Sequence, residues 1–205
     1  MKYLFIGNSH TYFNDMPHLF AQLAETVDND VHVTMLTRGG MGFPYHADGE
    51  EAPFNIRYGE YDYVILQHVA HPMGDIDEMF RAGKQLIALA KEAGAVPLLY
   101  MTWTKLGDEA SQPEMSGHYR RLAKETGVKL IPAGEVWQAA RKVLPGIDFY
   151  YKDGAHASLA GSKLIAAAAF AAIFDQLPPS SSGDEASIAQ LALDISRTEN
   201  AALDN

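Results

Sequence analysis

Five short apolar segments, separated by longer segments with helical periodicity, constrain the fold of this chain most strongly. Short apolar runs between turn residues are typical of buried strands, and apolar positions that recur every three or four residues indicate helices. Strands are predicted at 2–6, 31–36, 61–67, 96–101 and 128–131, and helices at 16–27, 79–93, 114–126, 135–143 and 159–174. Strands that alternate with helices pair in parallel and take helices on both faces. The sequence therefore predicts an α/β protein, a three-layer α/β/α sandwich with a five-stranded parallel sheet.

Two stretches lack this alternation. Residues 43–59 contain Pro44 and Pro53 without a clear period, so they are predicted to form a loop. From Pro178 the chain becomes rich in proline and serine, and a short amphipathic helix follows, with a polar end that we expect to fray. The 205 residues fit one domain at 1–177, followed by a linker and C-terminal helix at 178–205.

Composition excludes several classes of function. The net charge of −10 disfavours binding to nucleic acid or to an anionic membrane, and no apolar run approaches membrane-spanning length. The absence of cysteine excludes disulfides, thiol catalysis and cysteine metal sites. We expect a soluble, cytoplasmic protein whose partner is a small molecule, and self-association stays open.

A serine after the first strand and an acid–histidine pair before the last helix suggest chemistry. Ser9 ends the run Gly7-Asn8-Ser9, while Asp153 precedes His156 by three residues. A serine hydroxyl is a poor nucleophile unless an imidazole takes its proton and a carboxylate orients that imidazole. Ser9, Asp153 and His156 are therefore the candidate catalytic residues.

Other segments reach the same edge of the predicted sheet. Gly39-Gly40 and Gln67 follow the second and third strands, and parallel α/β sheets bind ligands beyond the carboxyl ends of their strands.

With Gly7-Asn8-Ser9, the glycine turn and Asp153-Gly154-Ala155-His156 in this order, the chain resembles the SGNH (GDSL-like) hydrolases over residues 1–175. The resemblance implies the flavodoxin-like SGNH fold and an ester hydrolase without a cofactor. It also implies Ser9 as nucleophile, His156 as base, Asp153 as orienting carboxylate, and an oxyanion hole from the N–H groups of Ser9 and Gly40. Gly39 is the alternative to Gly40.

Two departures from the family pattern affect the site. Asn8 replaces the usual Asp, and His10 the usual Leu. The Gly-x-Asn-Asp block, whose Asn donates to the oxyanion, is missing; Gln67 and His71 are the two candidates for that third donor.

The sequence leaves rival interpretations open. His68 and His71 could form part of a metal site, although Pro72 disfavours a shared helical face, and no metal is predicted. The loop from Gly7 could cradle a phosphate or flavin, or the fold could bind a glycan without hydrolysis. The main prediction is a serine esterase for short acyl groups, acetylated sugars among its substrates. Aromatic residues near Phe43, Phe54 and Trp103 are expected to narrow its acyl pocket.

Overall fold

The computed structural model describes residues 1–179 and 182–203. Five parallel strands form one sheet in the order β2-β1-β3-β4-β5. The strands are β1 (Lys2–Gly7), β2 (His32–Thr37), β3 (Tyr63–Gln67), β4 (Val96–Tyr100) and β5 (Lys129–Ile131). The predicted five-stranded parallel sheet is confirmed.

Nine helices are assigned within the described residues, and they cover both faces of the sheet. The helices are α1 (Ser9–Tyr12), α2 (Met16–Ala24), α3 (Phe43–Asp48), α4 (Glu51–Tyr58), α5 (Ile76–Glu92), α6 (Gln112–Thr126), α7 (Ala133–Val143), α8 (Leu159–Phe174) and α9 (Gly183–Leu203). Alternate strand residues face opposite layers: Tyr3 and Phe5 pack in one core with α2, α7, α8 and α9, and Leu4 and Ile6 pack in the other with α3 to α6. The α/β/α sandwich is confirmed.

The prediction of a loop at 43–59 is wrong, because α3 and α4 lie there. Pro44 and Pro53 both fall in the first turn of a helix. The N–H groups of a first turn have no partner within the helix, so a proline costs little at that place. Phe43 and Ile56 are buried against the second core and hold the two helices on the sheet.

The C-terminal segment is longer and more ordered than expected. α9 runs to Leu203, so the prediction that its polar end frays is wrong within the described residues. Two interactions hold this end: Arg120 pairs with Glu199 at 2.7 Å, and the Asn200 side chain bonds both the N–H and the carbonyl of Leu130. Ser180, Ser181 and residues 204–205 of the predicted linker and tail lie outside the described residues. In the described part of the chain, no helix combines the length and apolarity needed to cross a membrane.

Candidate active site

The turn after β1 carries Ser9 to the carboxyl edge of the sheet, at the start of α1. Asn8 caps this short helix, because its Oδ1 accepts from the His10 N–H at 3.0 Å. The Asn8 Nδ2 donates to the Met41 carbonyl at 2.8 Å and so ties the turn to the glycine segment after β2. The Thr11 N–H donates to the Asn8 carbonyl at 2.9 Å. Ser9 is the first residue of α1, and an N–H in the first turn has no partner within its helix, so the Ser9 N–H is available to a ligand.

Gln67 lies beneath the turn and does not face a ligand. Its carboxamide is 0% exposed. The Gln67 Oε1 accepts from the Asn8 N–H at 2.8 Å and from the Thr11 hydroxyl at 2.9 Å, and its Nε2 donates to the His68 carbonyl. A buried carboxamide with these partners cannot reach a bound ester, so the prediction of Gln67 as an oxyanion donor is wrong.

The loop between α7 and α8 brings His156 and Asp153 to Ser9. His156 Nε2 lies 2.8 Å from the Ser9 Oγ, and its Nδ1 lies 2.6 Å from the Asp153 Oδ2. The other carboxylate oxygen, Oδ1, accepts from the N–H groups of Ala155 and His156 at 2.9 Å and 3.0 Å. The structure thus brings the three predicted catalytic residues into one hydrogen-bonded chain.

The same contacts set the charge of Asp153. Partial burial acts to raise its pKa, but the hydrogen bonds from the His156 ring and from the two N–H groups outweigh it and lower the pKa to about 2. Asp153 is therefore ionised at neutral pH, as a carboxylate that orients an imidazole must be.

Aromatic rings hold the plane of the His156 imidazole. Phe13 stacks on it with ring centroids 4.2 Å apart and an interplanar angle of 11°. His10 lies 5.2 Å from it and also contacts Trp103, at 5.0 Å between centroids. His10 is 6% exposed, and Trp103 is fully buried, so packed side chains lie on this side of the imidazole.

Gly40 lies in the turn that the Asn8 side chain contacts. Its φ of +74° is a left-handed conformation that favours glycine, and a Cβ there would meet nothing within 4 Å. The turn is closed by the Met41 N–H, which donates to the Arg38 carbonyl at 3.0 Å. At Gly39 the space is narrower, because a Cβ would come within 3.3 Å of the Tyr12 hydroxyl. The open side of Gly40 is compatible with its predicted place at an oxyanion, and its N–H stays a predicted donor.

His71 lies next to His10, with ring centroids 5.1 Å apart. The Nε2 atoms of both rings are buried without a hydrogen-bond partner in the described structure. Burial, reinforced by the positive charge of Lys105, lowers the pKa of His71 to about 4. Burial, reinforced by repulsion from the other two imidazoles, lowers the pKa of His10 to about 3, so both rings are neutral at pH 7.

A cavity of about 510 Å³ opens beside His71, between the loops that follow β3 and β4. Its lining combines apolar Met73 and Met115 with polar or charged Lys105, Asp108 and Ser111. The cavity lies beyond the ends of β3, which neighbours β1 in the sheet, and of β4, so it is a candidate space for a group attached to a bound ester.

His68, the other candidate metal ligand, and the nearby His46 both bond to the backbone. His68 accepts at Nδ1 from the Phe43 N–H at 3.0 Å and lies 2.7 Å through Nε2 from the Met73 carbonyl. His46 bonds the carbonyl of Gly7 at 2.9 Å. Within residues 1–179 and 182–203, no group of three or more His, Asp or Glu side chains is placed to hold a metal ion.

The aromatic residues that were expected to narrow the acyl pocket lie in different places from those predicted. Phe43 is buried in the core, and the exposed ring of Phe54 packs on Tyr58. Tyr100 donates its hydroxyl to the His10 carbonyl at 2.9 Å. The rings packed around the imidazoles of His156 and His10 are those of Phe13 and Trp103, so the prediction that Phe43 and Phe54 line the acyl pocket is wrong.

Sequence reasoning missed the residues that support the nucleophile turn. In the sequence, Asn8 stands out only as a departure from the serine motif, and Thr11 only as a residue near it. Nothing in the sequence around His46 indicates a role for that histidine. Their partners lie across the sheet edge, so the sequence pattern near Ser9 does not reveal them.

No family model and no curated protein matches this chain, whereas solved structures do. A DUF4886 family protein from Bacteroides uniformis is similar with a TM-score of 0.74 at 20% identity, over 95% of this chain and 93% of that one. The acetyl xylan esterase AlAXEase is similar with a TM-score of 0.70 at 17% identity, over 84% of this chain and 100% of its own. A member of the lipolytic G-D-S-L family from Veillonella parvula is similar with a TM-score of 0.63 at 16% identity, over 86% of this chain and 100% of that one. This chain therefore has the SGNH (GDSL-like) hydrolase fold, as its resemblance predicted.

Replacing Gln67 by Met should destabilise the protein. The Asn8 N–H and the Thr11 hydroxyl would be left unpaired in a buried place, at a cost of about 1–3 kcal/mol. Urea denaturation gives the free energy of unfolding. Gln190→Met is the matched control, because it makes the same substitution at an exposed position whose amide bonds only Asp194, and it should cost less. Equal stability of Gln67→Met and wild type would show that this carboxamide does not support the turn.

The free energy of unfolding should fall as the pH decreases from about 6.5 toward 4. Folding lowers the pKa of His10 from 6.5 to about 3, and that of His68 to about 4, so in this range the unfolded chain binds protons that the folded chain does not. Each such histidine contributes about 1.4 kcal/mol per pH unit. Urea denaturation at several pH values measures the slope. His68→Gln keeps a donor and an acceptor but cannot titrate, so an unchanged slope in this variant would contradict the assignment.

Proposed function

We propose that this protein is a serine esterase that hydrolyses short-chain esters of small polar alcohols, acetylated sugars among them, through an acyl-enzyme on Ser9. The hydrogen-bonded chain from Ser9 through His156 to Asp153 carries the proposal. The fold shared with acetyl xylan esterases supports it.

In the first half of the reaction, the Ser9 Oγ attacks the carbonyl carbon of the ester. His156 Nε2 takes the hydroxyl proton as the bond forms, while the ionised Asp153 holds Nδ1–H and stabilises the imidazolium. The carbonyl π electrons move to oxygen. When the tetrahedral intermediate collapses, His156 returns the proton to the departing alcohol, and the acyl group stays on Ser9.

In the second half, water replaces the alcohol. His156 takes a proton from the water as its oxygen attacks the acyl carbon, and then returns the proton to Ser9 as the carboxylic acid leaves. The proposed steps use the protein's own groups and require neither a metal nor a cofactor.

The Ser9 N–H and the Gly40 N–H are the proposed backbone donors to the oxyanion. With Gln67 committed to the turn, His71 is the remaining candidate for the third donor. A neutral imidazole donates from one nitrogen only, so this role requires the proton on the Nε2 of His71. Its low pKa keeps the ring neutral, and its Nε2 has no partner in the described structure. The hydrogen bond of the ring to the Trp103 backbone, which acts to raise the pKa of His71, favours the proton on Nδ1, so the donor role requires the opposite tautomer.

The site geometry favours hydrolysis over the rival functions. A phosphate or flavin cradle needs free backbone N–H groups, but those of Asn8, His10 and Thr11 already have partners. A glycan-binding protein that had lost hydrolysis would have no need for the aligned triad.

The proposed substrate is small on its acyl side and polar on its alcohol side. The buried rings of His10 and Trp103 pack beside the His156 imidazole, so a long acyl chain that extends toward them would have to displace packed side chains. The cavity beside His71 offers donors and acceptors to an alcohol with several hydroxyl groups. The net charge of −10 is compatible with a neutral small-molecule substrate.

We propose the cytoplasm as the location of the protein.

Ser9→Ala should abolish turnover of p-nitrophenyl acetate, since loss of a triad member costs roughly 10⁴–10⁶ in kcat. A fluorophosphonate probe should label the wild type and not this variant, as measured by intact mass. Ser187→Ala, which removes an exposed hydroxyl on α9, is the control and should keep full activity. Esterase activity or labelling that persists without Ser9 would exclude the proposed mechanism.

Among p-nitrophenyl esters from acetate to laurate, the short ones should give the highest kcat/KM. A longer chain that extends toward His10 and Trp103 would have to displace packed rings, which costs about 1–3 kcal/mol when a core is overfilled. Steady-state kinetics across the series measures this preference. If kcat/KM instead rises toward laurate, the acyl site is open and apolar, and a lipase or thioesterase replaces the proposed activity.

A further inference from the structure

The turn that joins α1 to α2 has an uncommon backbone. Asn14 and Asp15 both have a left-handed conformation, with φ of 53° and 56°. A left-handed residue other than glycine costs about 1–2 kcal/mol, less for Asn and Asp, and such strain collects at functional sites. Two in succession therefore need a compensating interaction.

The Asn14 side chain supplies that interaction. Its Nδ2 donates to the carbonyl of Ala157 at 3.0 Å and to the Ser162 Oγ at 2.9 Å. Ala157 follows the histidine of the triad directly, and Ser162 lies in the first turn of α8. One amide group thus joins the segment that carries the nucleophile to the segment that carries the base.

Two further contacts cross the same boundary. The Ser162 hydroxyl donates to the carbonyl of Phe13 at 3.2 Å, and the ring of Phe13 stacks on the imidazole of His156. The left-handed turn brings both groups into place, because it redirects the chain immediately after Phe13. Asn14 itself touches neither Ser9 nor the imidazole in the hydrogen bonds and ring contacts of the described residues.

We propose that Asn14 is a positioning residue that holds the base loop against the nucleophile helix and so sets the distance between Ser9 Oγ and His156 Nε2. Its catalytic consequence rests on the proposed function, whereas the geometric consequence does not. A displacement of about 1 Å between reacting groups can cost about 10²-fold in rate.

The test compares Asn14→Gly with Asp15→Gly. Glycine adopts the left-handed conformation readily, so each variant relaxes the backbone at one position. Only Asn14→Gly also removes the bonds to Ala157 and Ser162, since the Asp15 side chain makes no cap hydrogen bond. Both variants are measured at a temperature where circular dichroism shows them fully folded.

Two readouts are used. The first is the imidazole ¹⁵N signal of His156, assigned with a His156→Asn variant, which reports the hydrogen bond at Nε2 without any turnover. The second is kcat and KM for p-nitrophenyl acetate. Asn14→Gly should shift the Nε2 signal toward that of an unbonded imidazole and lower kcat about 10–100-fold with KM unchanged. Asp15→Gly should leave both readouts at the wild-type values.

A second variant keeps the test decisive if Asn14→Gly fails to fold. Ser162→Ala removes one of the two partners of Asn14 and should move both readouts in the same direction by less. Where all variants fold, Asn14→Gly and Ser162→Ala should combine non-additively, because they share one interaction.

Unchanged Nε2 signals in Asn14→Gly and Ser162→Ala would overturn the positioning role. Equal changes in Asn14→Gly and Asp15→Gly would also overturn it, because the backbone and not the amide would then be responsible. If the wild type hydrolyses no ester but Asn14→Gly alone shifts the Nε2 signal, the positioning role stands and the proposed esterase function fails.

Discussion

The hydrogen bonds of the buried Gln67 carboxamide support the turn that carries Ser9 at the carboxyl edge of the sheet. This side chain, at the end of β3, accepts from the backbone after β1 and so fixes the direction in which Ser9 leaves the sheet. The two strands are neighbours in the sheet, so a short side chain spans the gap. Even a methyl group at Gly7 would overlap the Gln67 Oε1 and the Thr11 Oγ1, which shows how closely the turn is packed on this amide. Ser9, the proposed nucleophile, is thus held in place by a buried amide beneath its turn.

A different set of contacts holds the imidazole of His156, the proposed base. Asp153 fixes one nitrogen of the His156 ring, Phe13 covers its face, and the loop is anchored where the Trp103 indole donates to the Ala155 carbonyl at 2.9 Å. An imidazole with its plane and one nitrogen fixed can only aim its other nitrogen in one direction. In this fold that direction is the Ser9 hydroxyl, so the alignment follows from packing and does not require a ligand.

The sequence predicted the features that depend on neighbouring residues, and it missed features that depend on contacts between distant segments. The alternation of apolar strands and amphipathic helices predicted the sheet, because periodicity follows directly from burial. Ser9 and His156 were found because few residue types perform their chemistry. The direction of Gln67 was missed, since an amide at a strand end can turn toward the protein or toward a ligand, and only the partners across the edge decide. The helices around Pro44 and Pro53 were missed because a proline in a first turn resembles a helix breaker.

The separation of the triad along the chain has a consequence for synthesis. Ser9 and His156 are 147 positions apart, so the proposed nucleophile is synthesised well before its proposed base. A chain that ends before Asp153 holds Ser9 without either of the residues that align its hydroxyl. The hydrogen-bonded chain forms only when the loop between α7 and α8 docks on the turn after β1, and pairing of segments so far apart in the sequence slows folding. Under the proposed mechanism, the hydroxyl of Ser9 gains its reactivity only with that docking.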